Sequence, residues 1–152
     1  MSTTTPQKTS NRILDRLNEE IPADAAGVVL VDLDALSDNW RALNQQVAPA
    51  SCAAVVKANA YGLGAEQAIP ALSEAGADTY FVATLDEARQ ARRLAPEATV
   101  YVLDGIIPGS AADLREAGAT PVLSSLPEAK EWAALAPSRN EPIACAFHVD
   151  TG

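Results

Sequence analysis

Residues 54–65 read AVVKANAYGLGA. A run of small and β-branched apolar residues stops at Lys57, and Tyr61, Gly62 and Gly64 follow closely. An amine at the end of an apolar strand can form a Schiff base with an aldehyde, and a phenol in the same loop can donate to a phosphate oxygen. The glycines let the backbone turn tightly before a helix that opens near Ala65, and a helix N-terminus favours an anion. An amine beside a phosphate cradle is the layout that pyridoxal 5′-phosphate (PLP) chemistry requires. On position alone Lys57 reads as a strand-end lysine whose stem packs while its ammonium snorkels to water, and it is the residues around it that point to the cofactor chemistry.

Strands and helices must position this loop, because the carboxyl ends of parallel strands build the active sites of βα folds. From residue 27 onward, β-rich apolar runs alternate with helical segments. GVVLVDLDAL reads as a strand leading into a helix, and CAAVVKA, TYFVAT, TVYVLDG, TPVLSS and PIACAFHVD read as strands. DALSDNWRALNQQVA, GAEQAIPALSEAGA, LDEARQARRLA, GSAADLREAGA and LPEAKEWAALA read as helices. Ser37, Ser110 and Ser125 sit near helix starts, and Asp34 is expected to cap the helix that begins near Ala35. Gly76 and Gly118 follow helix ends, and Pro127 falls at a first helical position.

Near-continuous apolar strands separated by amphipathic helices predict an α/β fold with a parallel sheet. Two architectures suit it, an open doubly wound sheet and a (β/α)8 barrel. A five-stranded flavodoxin-like domain would end in a covering helix, whereas this sequence stops at HVDTG on a strand end. The expectation is therefore the first part of a (β/α)8 TIM barrel, interrupted after about the fifth strand and occupying residues 27–152. Residues 1–26 are expected to form an N-terminal extension with a short helix, because NRILDRLNEEI spaces Ile13, Leu14 and Leu17 along one helical stripe.

Composition narrows the function. Twenty acidic residues against 11 basic leave a formal charge of −9, which repels phosphate backbones and anionic lipid surfaces, so neither nucleic acid nor a membrane is an expected partner. No secretory h-region and no membrane-length apolar stretch is present, and a cytoplasmic protein is expected. Cys52 and Cys145 lie far apart without CxxC spacing, so neither a metal site nor a redox pair is expected.

VVKANAYGLG resembles the cofactor-binding signature of the PLP-dependent alanine racemases, whose usual form is KA(N/D)AYGHG. The resemblance runs over residues 27–152: VDLDALSDNW is similar to the family's opening strand and helix, VLDGIIPGS to a mid-barrel segment, and HVDTG to the start of its DTGM motif. It implies a PLP-binding barrel followed by a β-rich domain, and a homodimer with active sites at the subunit interface. It also implies interconversion of L- and D-alanine, which supplies D-alanine for peptidoglycan. Carried over residue by residue, Lys57 would be the lysine that holds PLP and the base at the α-hydrogen of the D-enantiomer, and Tyr61 would donate to the cofactor's phosphate.

Racemisation needs a second acid/base on the opposite face. In the family it is a tyrosine that the partner subunit contributes from sequence beyond the barrel, as are the arginine facing the pyridine nitrogen and further phosphate ligands. With the chain read as ending at Gly152, it is expected to lack that half of the chemistry. Tyr80 and Tyr101 begin predicted interior strands and do not substitute. An inactive PLP-binding fragment, a racemase of serine or broad specificity, and a small flavodoxin-like binding module are the alternatives.

Leu63 stands where the family has histidine, and His148 where it often has a carbamylated lysine; a satisfied interior histidine is the competing expectation for His148. Asp150 and Thr151 are expected to cap the turn after the last strand. Arg89, Arg92 and Arg93 are expected on a solvated helix face, and Trp40 and Trp132 in packing roles.

Overall fold

The computed structural model describes residues 21, 24–137 and 141–152. The predicted helix over NRILDRLNEEI lies outside the described residues apart from Ile21. Two units are present, Met1–Val31 and Asp32–Gly152. In the first, the described residues 24–31 form neither helix nor strand, and Val29 is 89% exposed. The strand expected from GVVLV is therefore not formed. An apolar run becomes a strand only where a neighbour takes its N–H and C=O groups, and no ladder reaches residues 27–31.

The second unit runs α1 (Leu33–Gln46), β1 (Ala54–Val55), α2 (Ala65–Ala75), β2 (Thr79–Val82), α3 (Leu85–Leu94), β3 (Thr99–Val102), α4 (Ala111–Glu116), β4 (Thr120–Leu123), α5 (Leu126–Ala133) and β5 (Ala146–Phe147). A separate turn, Lys57–Tyr61, joins β1 to α2. The five strands make one parallel sheet in the order β1-β2-β3-β4-β5, with Ala54 opposite Tyr80, Tyr80 opposite Val100, Val102 opposite Pro121 and Val122 opposite Ala146. A doubly wound sheet reverses its strand order part way across. This one does not, so right-handed crossovers place the helices on one face, as in a (β/α)8 barrel.

Strand alternation sorts the side chains. Ala54, Val56, Tyr80, Val82, Val100 and Val102 are buried in a core with Ile69 and Leu72 of α2, Ala88 and Ala91 of α3, Leu114 of α4 and Trp132 of α5. Alanine at contact positions lets a helix sit close to the sheet without leaving a void. Val55, Phe81 and Tyr101 lie in one register row of opposite parity. Phe81 and Tyr101 stack there with ring centroids 4.8 Å apart, and Val55 stays 46% exposed.

Helix ends depart from expectation in ways that chemistry explains. Asp32, not Asp34, caps α1, its Oδ1 accepting from Ala35 N at 2.9 Å. The helix begins earlier than expected, so Asp34 falls in its first turn, where a carboxylate favours the positive end of the dipole. Ser37 is buried inside α1 and donates to Ala71 O at 3.2 Å, tying α1 to α2. Ser110 precedes α4 but its hydroxyl donates back to Ile107 O at 2.7 Å instead of capping. Ser125 does cap α5, with Pro127 in the first turn. Gly76 (φ 111°) closes α2, where an L side chain would be strained.

Trp40 and Trp132 are packing residues, each with its indole N–H satisfied by a carbonyl 3.0 Å away, Cys52 O and Ala144 O respectively. Arg89 pairs with Asp86 at the surface. Arg92 is not the solvated residue expected: its guanidinium donates to Pro96 O, Ala98 O and Gly118 O, tying the end of α3 to the turns before β3 and β4. Cys52 and Cys145 are half-buried free thiols. Among the described residues no helix is long and apolar enough to cross a membrane.

Candidate functional site

The site is built from the end of β1. Val56 N donates to Phe81 O at 2.9 Å, the last bond joining β1 to β2, and the chain then enters a left-handed turn at the carboxyl end of the strand. Ala58, Asn59, Ala60 and Tyr61 have φ of 50°, 55°, 54° and 54°. Left-handed backbone costs a non-glycine residue about 1–2 kcal/mol, so four in succession persist only where the surroundings hold them.

Three kinds of contact do so. Within the turn, Gly62 N donates to Ala58 O at 3.1 Å and Gly64 N to Asn59 O at 3.0 Å. Ala60 is buried and anchors the turn in the core. Two side chains take backbone amides: Ala58 N donates to Glu87 Oε1 and Ala65 N to Asn59 Oδ1, each at 2.8 Å. Gly62 (φ 86°) and Gly64 (φ 96°) continue the positive φ, which is the reason for glycine at both.

The turn leaves Lys57 half-buried at the carboxyl end of β1, Tyr61 64% exposed, and the N-terminus of α2 at Ala65. The structure thus carries the two sequence-predicted site residues, Lys57 and Tyr61, on one short turn. Among the described residues no carboxylate forms an ion pair with Lys57. Asn59 occupies the first amide of α2, so the helix start is less open than the glycines alone suggest. Sequence reasoning missed both Asn59 and Glu87. An asparagine among glycines is a turn-capping signal that could have been read, whereas Glu87 is 29 residues from Ala58 and carried only a helix-start signal.

Other expected participants lie elsewhere. His148, just after β5, is exposed in this chain, and its amide donates to Leu123 O at 2.8 Å. Asp150 Oδ1 accepts from Gly152 N at 2.9 Å, the turn-capping role expected of it. Tyr80 is buried in the helix layer. Tyr101 is the third residue of β3, not its first, and stacks on Phe81. Cavities of about 280 Å³ open at the amino ends of β2 and β3, lined by Ala77, Asp78 and Pro96, and between α5 and β5, lined by Trp132, Ile143 and Phe147. Neither is lined by Lys57 or Tyr61. Among the described residues no group of three or more His, Cys, Asp or Glu is placed to hold a metal ion.

A singly wound parallel βα sheet with an amine and a phenol on a strand-end turn defines the class: the first part of a (β/α)8 barrel with its candidate site on the carboxyl-terminal face. Comparison with known proteins agrees. The family model described as alanine racemase, N-terminal domain, matches residues 31–152. The alanine racemase of Methylobacterium sp. (strain 4-46) is 52% identical over 122 residues, covering 80% of this chain and 34% of that protein. The alanine racemase of Brucella ovis is 45% identical over 129 residues, covering 84% and 33%.

Among solved structures, alanine racemase from Bartonella henselae with covalently bound pyridoxal phosphate matches with a TM-score of 0.70 at 39% identity, over 73% of this chain and 31% of that one. The alanine racemase from Streptomyces coelicolor A3(2) matches with a TM-score of 0.71 at 31% identity, over 80% and 33%. The chain belongs to the alanine racemase family. It spans about a third of the length of the curated relatives it matches.

Proposed function

We propose that the polypeptide carrying this sequence is a PLP-dependent alanine racemase that interconverts L- and D-alanine by a two-base mechanism and supplies D-alanine for peptidoglycan. The observation that carries this reading is the placement of Lys57 at the carboxyl end of β1, followed by a turn that presents Tyr61. The donor set fits the cofactor: an amine for its aldehyde and a phenol for its phosphate, one half-buried and one exposed, on a turn with open space at Gly62, where even an added Cβ would meet nothing within 4 Å. PLP, when bound, supplies the aldehyde that captures an amine and the pyridine ring that withdraws electron density from Cα.

In this reading Lys57 Nζ anchors the cofactor and moves the proton at Cα of the D-enantiomer, and Tyr61 Oη donates to the phosphate. The base for the other face comes from a partner subunit in a homodimer. Residues 27–152 are the first part of the PLP-binding barrel and residues 1–26 an extension preceding it. The substrate is alanine, the compartment the cytoplasm, and the chain's net charge of −9 opposes nucleic acid as a partner.

The test is borohydride reduction of the native protein purified with PLP, followed by peptide mapping, alongside measurement of alanine racemisation. The expected result is a reduced pyridoxyl adduct on the peptide bearing Lys57, with both adduct and racemisation abolished in Lys57→Ala. Full racemisation by Lys57→Ala, or an adduct confined to another lysine, would overturn the reading.

A further inference from the structure

Glu87 is the third residue of α3 and closes a capping box with Thr84. A capping box needs only its bond to the N-cap amide, Thr84 N, and that bond is the longest Glu87 makes, at 3.3 Å. The two shorter ones go elsewhere: Oε2 accepts from Ala83 N at 2.7 Å, and Oε1 accepts from Ala58 N at 2.8 Å. One carboxylate therefore bridges two successive strand-end loops, the one after β1 and the one after β2.

The Ala58 bond falls at a particular place. Its N–H belongs to the peptide plane that directly follows Lys57, and Ala58 is the first left-handed residue, at φ 50°. Fixing that plane fixes ψ of Lys57 and so the direction in which its side chain leaves the backbone. A left-handed run of non-glycine residues has no preference of its own for this geometry, and a charge-assisted bond is the stronger kind available to hold it.

We propose that Glu87 is a positioning residue for Lys57: its carboxylate holds the Lys57–Ala58 peptide and thereby aims the amine. This rests on the proposed function for the identity of the aldehyde the amine meets. Alanine at position 87 removes both anchors, and glutamine presents an NH2 group to an amide donor on one side. Thr84→Ala is the control, because it removes the capping hydroxyl and leaves the bond to Ala58.

The experiment uses the complete natural polypeptide. The PLP-free protein is titrated with PLP, Schiff-base formation is followed by absorbance and borohydride trapping at Lys57, and kcat and KM are measured separately; thermal melting reports folding. Glu87→Ala and Glu87→Gln are expected to weaken PLP capture about 10–100-fold and lower kcat more than they raise KM. Thr84→Ala is expected to melt earlier yet capture PLP as the parent does. Parent-like capture by the folded Glu87→Gln protein, or equal loss in Thr84→Ala, would overturn the proposal and leave the function standing. No adduct on Lys57 in the parent protein would overturn the function and this inference with it.

Discussion

The hydroxyl of Tyr80 sits on a fully buried residue of the helix–sheet layer, 2.7 Å from Ser73 Oγ and within donating distance of Ile69 O at 3.2 Å. Burial pushes its pKa above 10.0, with Asp78 adding to the rise and the Ser73 bond opposing it. The protonated phenol is thus favoured by folding: its contribution is fully present below pH 10.0 and lost as pH rises through the higher folded value. Tyr80→Phe leaves Ser73 without this partner and should cost about 1 kcal/mol near neutral pH. It should also flatten the alkaline fall in stability, measured as urea midpoints across that range; an unchanged alkaline slope would refute the assignment. At this scale the loop that carries Lys57 and Tyr61 was legible from its glycines and the apolar strand before it, whereas the roles expected of the two residues came from the family resemblance. Glu87 was not legible, because its bond to Ala58 exists only once β1 and β2 pair and bring their terminal loops together.

At the scale of elements, carboxylates in the first turns or body of one helix take amides in a neighbouring loop. Glu131 of α5 accepts from Gly109 N at 3.0 Å and Ala111 N at 3.3 Å, in the connection that leads into α4. Glu128 of the same helix accepts from Ser124 N and from the Ser125 hydroxyl. These bonds, with a smaller one from the Ile106 amide, hold its carboxyl below the usual 4.5. A lowered folded value gives stability that is fully present above pH 4.5 and lost as pH falls through it. Glu128→Gln should therefore lose under about 1 kcal/mol at neutral pH, and the gap to the parent should close in acid. A gap that is constant with pH, read from denaturant midpoints, would show that this carboxylate's charge contributes nothing. The helices were readable because their apolar period is a local signal, while of the expected side-chain caps only Ser125 formed. The strands were overextended, PIACAFHVD to the two residues of β5 and CAAVVKA to the two of β1, because a ladder depends on partners that a local pattern does not specify.

For the whole molecule, local pattern left two architectures open, since strand order is a property of crossovers and not of any one segment; the sequential sheet selects the barrel. The same sheet fixes which backbone the 152-residue chain, taken by itself, leaves bare. Among the described residues β1 pairs only with β2 and β5 only with β4, so the outer side of each strand carries unpaired backbone groups. Apolar side chains lie at both: Val55 at one, Phe147 and Val149, 67% and 76% exposed, at the other. Burying them favours association, while a net charge of −9 on each copy opposes it, and the charge term alone is screened by salt, over about 10 Å at 0.1 M. The 152-residue chain should therefore self-associate with rising concentration, and more strongly as salt is added, when followed by sedimentation velocity. Phe147→Lys should suppress that association by placing a desolvation cost at the β5 edge. A chain that remains monomeric at every salt concentration would show that these edges do not drive association, and a Phe147→Lys variant that associates as the parent does would show that copies do not meet at the β5 edge.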